Sequence, residues 1–438
     1  MKNMKKIMAA MLALLMIGSM VACGSANDPT TGNQQQQGGG QKYTLTIWGA
    51  EQDQDMLKAM CNAYAAANPQ NTYKFLFGVQ GENDAADKIL NDVTSGPDIY
   101  SFPSDQINRL YAGGALARIG GNIETEVKAA NTADSIDAAT ITVNGVDQLM
   151  AYPSTGDNCY FVYYDKSVFT NPEDLTSLDR MLDVAEAAGK TVHFKLNDDG
   201  WYLSSFFFSN PELKYNVTYN ENMVEESVEI NYDDPAGMEV MKSLRAYLQR
   251  DGLVATTDDS KIIAGFTPNA EGKTTIAAAI TGIWNKEKIQ EQLGDNMGVC
   301  VLPTANIGGQ QIQLSGYFGY KLIGVNGYSK NKGEAHKLAQ WLTNEQNQIL
   351  RYETRGFGPT NINAMKLEKI VNDPVINTIF QQAAFNRTQK GVPSQYWTPM
   401  GSLITPIITA KENGTEVTDA MLQEYLDALC NQIRKKAE

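Results

Sequence analysis

Carboxylates and aromatic rings are the side chains of this chain whose types and spacing admit chemistry. It carries 50 Asp and Glu, 20 Tyr, 14 Phe and 5 Trp, but only 2 His. With His193 and His336 alone, a His-based metal centre is not expected, and no cofactor is called for. Glu271-Gly-Lys-Thr274 lacks the upstream glycine of a phosphate-binding loop, since position 267 is Thr. Asn197-Asp-Asp-Gly200 fails as a calcium loop, which would put ligands at Lys195 and Phe206. Neither GxSxG nor HExxH occurs. Acids and rings remain. Glu51 follows the first strand-like run and Asp105 the third; Trp284 closes a later apolar run. Tyr396 and Trp397 lie among Pro393, Thr398 and Pro399, where the helical pattern breaks. Flat rings suit the apolar face of a hydroxyl-rimmed ligand, and a carboxylate accepts from two neighbouring hydroxyls. Each residue keeps an ordinary alternative. A loop Asp is often a helix cap, and a Trp ending an apolar run is often core. Paired acids such as Asp198-Asp199 or Asp258-Asp259 leave open a hydrolase with two carboxylates.

The elements that must hold these residues alternate. Lys42–Trp48, Thr72–Phe77 and Ile99–Phe102 read as strands, and 53–67, 84–94 and 105–111 as helices. Alternation of this kind predicts a mainly parallel sheet covered by helices. In open sheets of that sort ligands sit beyond the carboxyl ends of the strands. Those ends are Trp48–Glu51, Gly78–Asn83 and Phe102–Asp105. Further on, 297–303 reads as a strand, 333–351 as one long helix and 418–436 as a terminal helix. At 438 residues, two or three domains are expected. An apolar fraction of 42% supports a real core, and a net charge of −14 argues against nucleic acid as a partner.

The amino terminus predicts export. Lys2, Lys5 and Lys6 precede an apolar run from Ile7 to Met16, then small residues. Met20-Val-Ala-Cys23-Gly24 resembles the bacterial lipobox, which implies a signal peptide over 1–22, a lipid on Cys23 and a membrane-anchored, extracytoplasmic protein. The stretch 23–41, rich in Gln and Gly with a Gly38-Gly39-Gly40 run, predicts a flexible tether. Cys61, Cys159, Cys300 and Cys430 are scattered without metal spacing. They are expected to be small buried residues, although an exported setting permits disulfides.

Four stretches, in order, carry a resemblance. Ser95-Gly-Pro-Asp-Ile-Tyr-Ser-Phe-Pro-Ser-Asp105 followed by Tyr111-Ala-Gly-Gly-Ala-Leu-Ala-Arg-Ile119 is the first. Ala151-Tyr-Pro153 leading to Phe161-Val-Tyr-Tyr-Asp-Lys166 is the second. Gly272 to Trp284 and Ser394-Gln-Tyr-Trp397 complete the set. Together they resemble the extracellular solute-binding proteins of ABC importers, in the maltose/maltodextrin-binding branch. The resemblance implies an α/β, two-lobe periplasmic-binding-protein fold with a hinge and a ligand cleft between lobes. The first lobe would comprise 42–157 and 303–355, and the second 158–302 and 356–438. Crossings would fall near Asp157–Asn158, Leu302–Pro303 and Arg355–Gly358. The implied ligand residues are Glu51, Phe102, Asp105 and Asp157 or Asn158 on one wall, and Trp201, Tyr202, Trp284, Tyr396 and Trp397 on the other. The family usually has a basic residue where Gln106 stands, and an Asp-Lys pair where Glu51-Gln52 stands. The implied protein is a monomer without catalytic activity. It closes on an oligosaccharide, expected to be a maltooligosaccharide, and passes it to a permease. The rivals are a secreted glycoside hydrolase, the same fold binding a non-sugar solute, and an adhesin gripping starch.

Overall fold

The computed structural model describes residues 40–256 and 258–434. The leader 1–22, Cys23 and most of the tether lie outside the described residues. Among the described residues, no helix is long and apolar enough to cross a membrane.

Two sheets organise two lobes. In the first, Lys42–Gly49 lies parallel to both Thr72–Val79 and Ile99–Pro103, and Tyr317–Val325 runs antiparallel against Ile99–Pro103. Ala151–Asn158 also pairs antiparallel with Tyr317–Val325. Alternation sets the faces: Leu45 and Ile47 are buried within Lys42–Gly49. They pack with Met56, Leu57 and Met60 of the helix Gln54–Ala67, whose apolar residues recur at helical spacing. The second sheet takes the order 253–255, 191–194, 276–282, 160–165, 297–300. Tyr160–Asp165 serves cores on both faces: Tyr160 and Val162 join one cluster, Phe161 and Tyr163 the other. Period-two geometry allows nothing else when both faces are covered.

The chain passes between lobes at 157–159, at 316–320 and at 355–358. The middle passage is displaced from Leu302–Pro303. Leu302, Ala305, Ile307, Leu314 and Tyr317 all belong to the second lobe's core, carried by the hairpin 304–313. Only from Leu322 does the strand Tyr317–Val325 enter the first core. The outer passages are bonded to each other: the Gly156 N–H donates to the Gly358 carbonyl at 2.9 Å, and the Gly358 N–H donates to Asp157 Oδ2 at 2.6 Å. Gly356 ends the helix Glu345–Arg355 at φ 71°, a left-handed turn that glycine enters freely.

Two expected elements differ. The helix over 333–351 is two helices, Lys332–Leu342 and Glu345–Arg355, because the Asn344 side chain accepts from the Asn347 N–H and starts a new one. Tyr396 and Trp397 sit not on an irregular segment but in the helix Ser394–Ser402, which tolerates Pro399 inside it. All four described cysteines are free. Burial raises the Cys61, Cys300 and Cys430 thiols to about 12.

Candidate functional site

A cavity of about 740 Å³ opens between the lobes. Strand–turn–helix corners deliver its lining. In the first lobe, Ile99–Pro103 ends in a single 3₁₀ turn, Ser104–Gln106, and Asp105 lies on it. In the second, Ile276–Gly282 ends in the 3₁₀ turn Ile283–Asn285, which carries Trp284. A third corner, Gly49 into Glu51–Asp53, explains a miss. Three residues per turn put Ala50 and Asp53 on one face and turn Glu51 away. Ala50, Gln52 and Asp53 line the cavity, whereas Glu51 is exposed and does not.

Of the residues singled out in sequence, Asp105, Asn158, Trp201, Tyr202, Trp284 and Trp397 meet at this cavity. Four do not line it. Phe102 is fully buried in the first core. Its strand is buried at every position but Ser101, and position 102 packs into that core. Tyr396 is fully buried in the second core, its hydroxyl 2.8 Å from Ser204 Oγ and 3.4 Å from the Tyr232 hydroxyl. On a helix, adjacent positions point about 100° apart, so Trp397 reaches the cleft and Tyr396 cannot. Asp157 spends both oxygens inside the hinge, Oδ1 on the Thr155 hydroxyl at 2.7 Å and Oδ2 on the Gly358 N–H. Of the pair Asp157 and Asn158, the cleft therefore takes Asn158.

The second-lobe wall is aromatic. Trp201 and Tyr202 open the helix Gly200–Phe208, capped by Asp199, which accepts from the Trp201 N–H at 3.1 Å. Trp201 and Trp284 have ring centroids 5.9 Å apart. The Trp284 Nε1–H donates to Asp259 Oδ2 at 3.1 Å, which fixes the ring's tilt. Gly282 is required beneath it: a Cβ there would stand 2.1 Å from the indole. Trp397 leans on Tyr317, centroids 5.2 Å apart at 75°. Lys195 lies 3.6 Å from Asp199 and 3.8 Å from Asp259. Burial raises the Asp199 carboxyl's pKa, and Lys195 opposes that.

The first-lobe wall is charged. Lys321 Nζ is 2.7 Å from Glu82 Oε2 and 4.9 Å from the centre of the Phe357 ring. Burial would lower its pKa, but Glu82 and Asp157 outweigh this and hold the ammonium above its ordinary value. Arg355 covers the same Phe357 ring at 5.2 Å and places Nε 3.0 Å from Asp53 Oδ1, as an ion pair rather than an aligned hydrogen bond. Asp105 keeps some surface open to the cavity, yet protein surrounds its carboxyl. That desolvation raises its pKa to about 7, against hydrogen bonding that lowers it. Sequence reasoning missed Asp53, Glu82, Lys195, Lys321, Arg355 and Gln389. A Lys or Arg on a strand or helix end carries no local signal of facing a cleft assembled by distant segments.

Two α/β lobes joined by three passages, with rings facing charges across a shared cavity, define a two-lobe ligand-binding protein. The chain belongs to the bacterial extracellular solute-binding protein family, whose model matches residues 59–378. It is 24% identical over 439 residues to the galactooligosaccharide-binding protein of Bacillus subtilis (strain 168), covering 96% of both chains. A solved structure with acarbose shares 29% identity at a TM-score of 0.75, covering 90% of this chain and 99% of the other. A maltodextrin-binding protein from L. casei BL23, solved without ligand, superposes at a TM-score of 0.72 with 20% identity, over 90% of this chain and 99% of its own. Asp105, Trp284 and Trp397, identified above on residue type and placement, thus stand in the cleft of a solute-binding fold.

Proposed function

We propose that this chain is the carbohydrate receptor of an ABC importer, closing its lobes on an oligosaccharide and presenting it to a membrane permease. One observation carries the reading: Trp201, Tyr202, Trp284 and Trp397 line one side of a cavity whose other side bears Asp53, Glu82 and Asp105. Rings of this kind cover the C–H faces of sugars at small entropic cost. Carboxylates and Lys321 order the hydroxyl rim by charge-assisted bonds. A ligand shifts the lobes only by binding the closed form better, which needs contacts on both walls. The likeness to a structure with acarbose supports an α-glucan of the maltooligosaccharide type. The relationship to a galactooligosaccharide-binding protein supports galactosides as the second reading.

Cys23 is proposed to carry the lipid that holds a monomeric receptor at the cell membrane, on the strength of Met20–Gly24. Replacing Cys23 by Ala should release the protein from membranes. The test of function is a thermal-shift series with maltotetraose, galactooligosaccharides, amino acids and polyamines, because a ligand that binds only the folded state raises Tm. Carbohydrate alone should shift it. The same maltotetraose should come through prolonged incubation uncut; shortened products would favour the hydrolase.

A further inference from the structure

The segment 387–391 belongs by chain connection to the second lobe but lies on the edge of the first sheet. Arg387 and Thr388 pair with Tyr317 and Phe318, and the Gln389 N–H donates to the Phe318 carbonyl at 2.9 Å. Gln389 itself is 5% exposed. Its carboxamide has two partners. Asn158 Nδ2, at the first passage between lobes, donates to Gln389 Oε1 at 2.8 Å. Gln389 Nε2 donates to Asp105 Oδ1 at 3.0 Å. A carboxylate only accepts and the Asn158 amide donates, so the orientation of the carboxamide is dictated at both ends. Room for it exists because position 319 is glycine: a Cβ there would lie 2.5 Å from Gln389 Oε1.

We propose that Gln389 is a positioning residue for ligand capture, a bridge that ties the hinge amide of Asn158 to the cleft carboxylate of Asp105 and holds that carboxylate aimed for a ligand hydroxyl. It rests on the carbohydrate reading for its ligand, but not for its geometry. Burial disfavours the charge on Asp105, and its own backbone N–H, Gln389, Arg109 and the Trp397 indole oppose that. Arg109, one turn on, is engaged by Asp87 at 2.7 Å. The Trp397 indole and the Tyr219 hydroxyl of the hairpin 215–230 face it from the second lobe. Glu82, paired with Lys321 at 2.7 Å, and Asp84 line the same cavity. Gln389 is the side-chain donor that also reaches the hinge, and its loss should push the Asp105 carboxyl pKa above about 7.

The test uses Gln389→Leu and, as a variant that keeps Gln389, Asn158 and Asp105 themselves, Gly319→Ala, whose methyl would stand 2.5 Å from Gln389 Oε1 and 3.2 Å from Asn158 Nδ2 and so displaces the bridge. Carboxyl-detected NMR follows Asp105 in the unliganded protein, with Asp105→Asn assigning the signal. Calorimetry with maltotetraose is run from pH 6 to 9. The wild-type affinity should rise as pH passes through the Asp105 midpoint. Both variants should move that midpoint upward by about one pH unit and weaken binding about tenfold at pH 7, with recovery toward pH 9. A midpoint that stays in place in a folded variant, even with a lowered Tm, would overturn the proposal. Wild-type protein that binds no saccharide while the variant midpoints still move would retire the carbohydrate reading and leave the Gln389 bridge standing.

Discussion

The two walls of the cleft differ in what holds them as well as in what they present. The first-lobe wall is made of charges that satisfy one another: Lys321 with Glu82, Arg355 with Asp53. The second-lobe wall sets rings backed by more rings beside a small charged group, Lys195 with Asp199 and Asp259. Tyr160 stands 4.7 Å from Trp201 and 4.5 Å from Tyr202, and Tyr317 and Tyr396 are each 5.2 Å from Trp397. The lesson is that the rings and the charges are fixed by different means. Close packing of large side chains leaves the rings few alternatives. Mutual ion pairs and hydrogen bonds hold the polar groups in place.

Substitutions can break this contrast. The largest effect is expected behind the rings. Tyr396→Ala should cost about 3–5 kcal/mol of stability, read by denaturant unfolding, because it opens a cavity in the core. Tyr396→Phe should cost only about 1 kcal/mol and leave saccharide affinity within about twofold. A large affinity loss with Phe would place the hydroxyl in the site after all. Next come the ring faces themselves. Trp284→Ala or Trp397→Ala should weaken maltotetraose binding about 30- to 100-fold while far-UV circular dichroism stays unchanged.

The charged wall should answer to pH. Asp105 has a pKa of about 7 when folded against 3.8 ordinarily, so the folded state holds this proton more tightly than the unfolded one. Its burial cost is therefore absent at acid pH and grows as pH rises from about 4 to about 7. Asp105→Asn should stabilise the unliganded protein at pH 8 by about 1–2 kcal/mol, allowing for screening by water, and by nothing near pH 3. The same change should weaken saccharide binding about tenfold at pH 8. A variant neither more stable at pH 8 nor weaker in binding would mean that Asp105 is a cap and not a cleft acid. The smallest effect belongs to Glu51→Gln, which should alter stability and affinity by less than about 0.5 kcal/mol.

Much of the aromatic wall was legible in sequence, and the reason is physical. Trp284 closes an apolar run and so marks the place where a buried strand gives out, while Trp397 stands out as a large ring between two prolines. The order of Ser95–Asp105, Ala151–Lys166, Gly272–Trp284 and Ser394–Trp397 carried the two-lobe fold. The finer orientations were not legible. Whether position 51 or 53 faces the cleft depends on a 3₁₀ turn, which leaves almost no trace in composition. Tyr396 and Trp397 differ by one step around a helix that the flanking prolines disguised. Lys321 and Gln389 reach the site only through pairings with residues more than 150 positions away, and no local pattern encodes such a meeting.

The most direct measurement is a calorimetric titration of the purified protein with maltotetraose and, separately, with galactooligosaccharide. A cleft that stacks a sugar between indoles and carboxylates predicts one saturable site for one of them, with a negative heat-capacity change from the covered ring faces. Absence of heat with every carbohydrate, beside saturable binding of an amino acid or polyamine, would contradict the account.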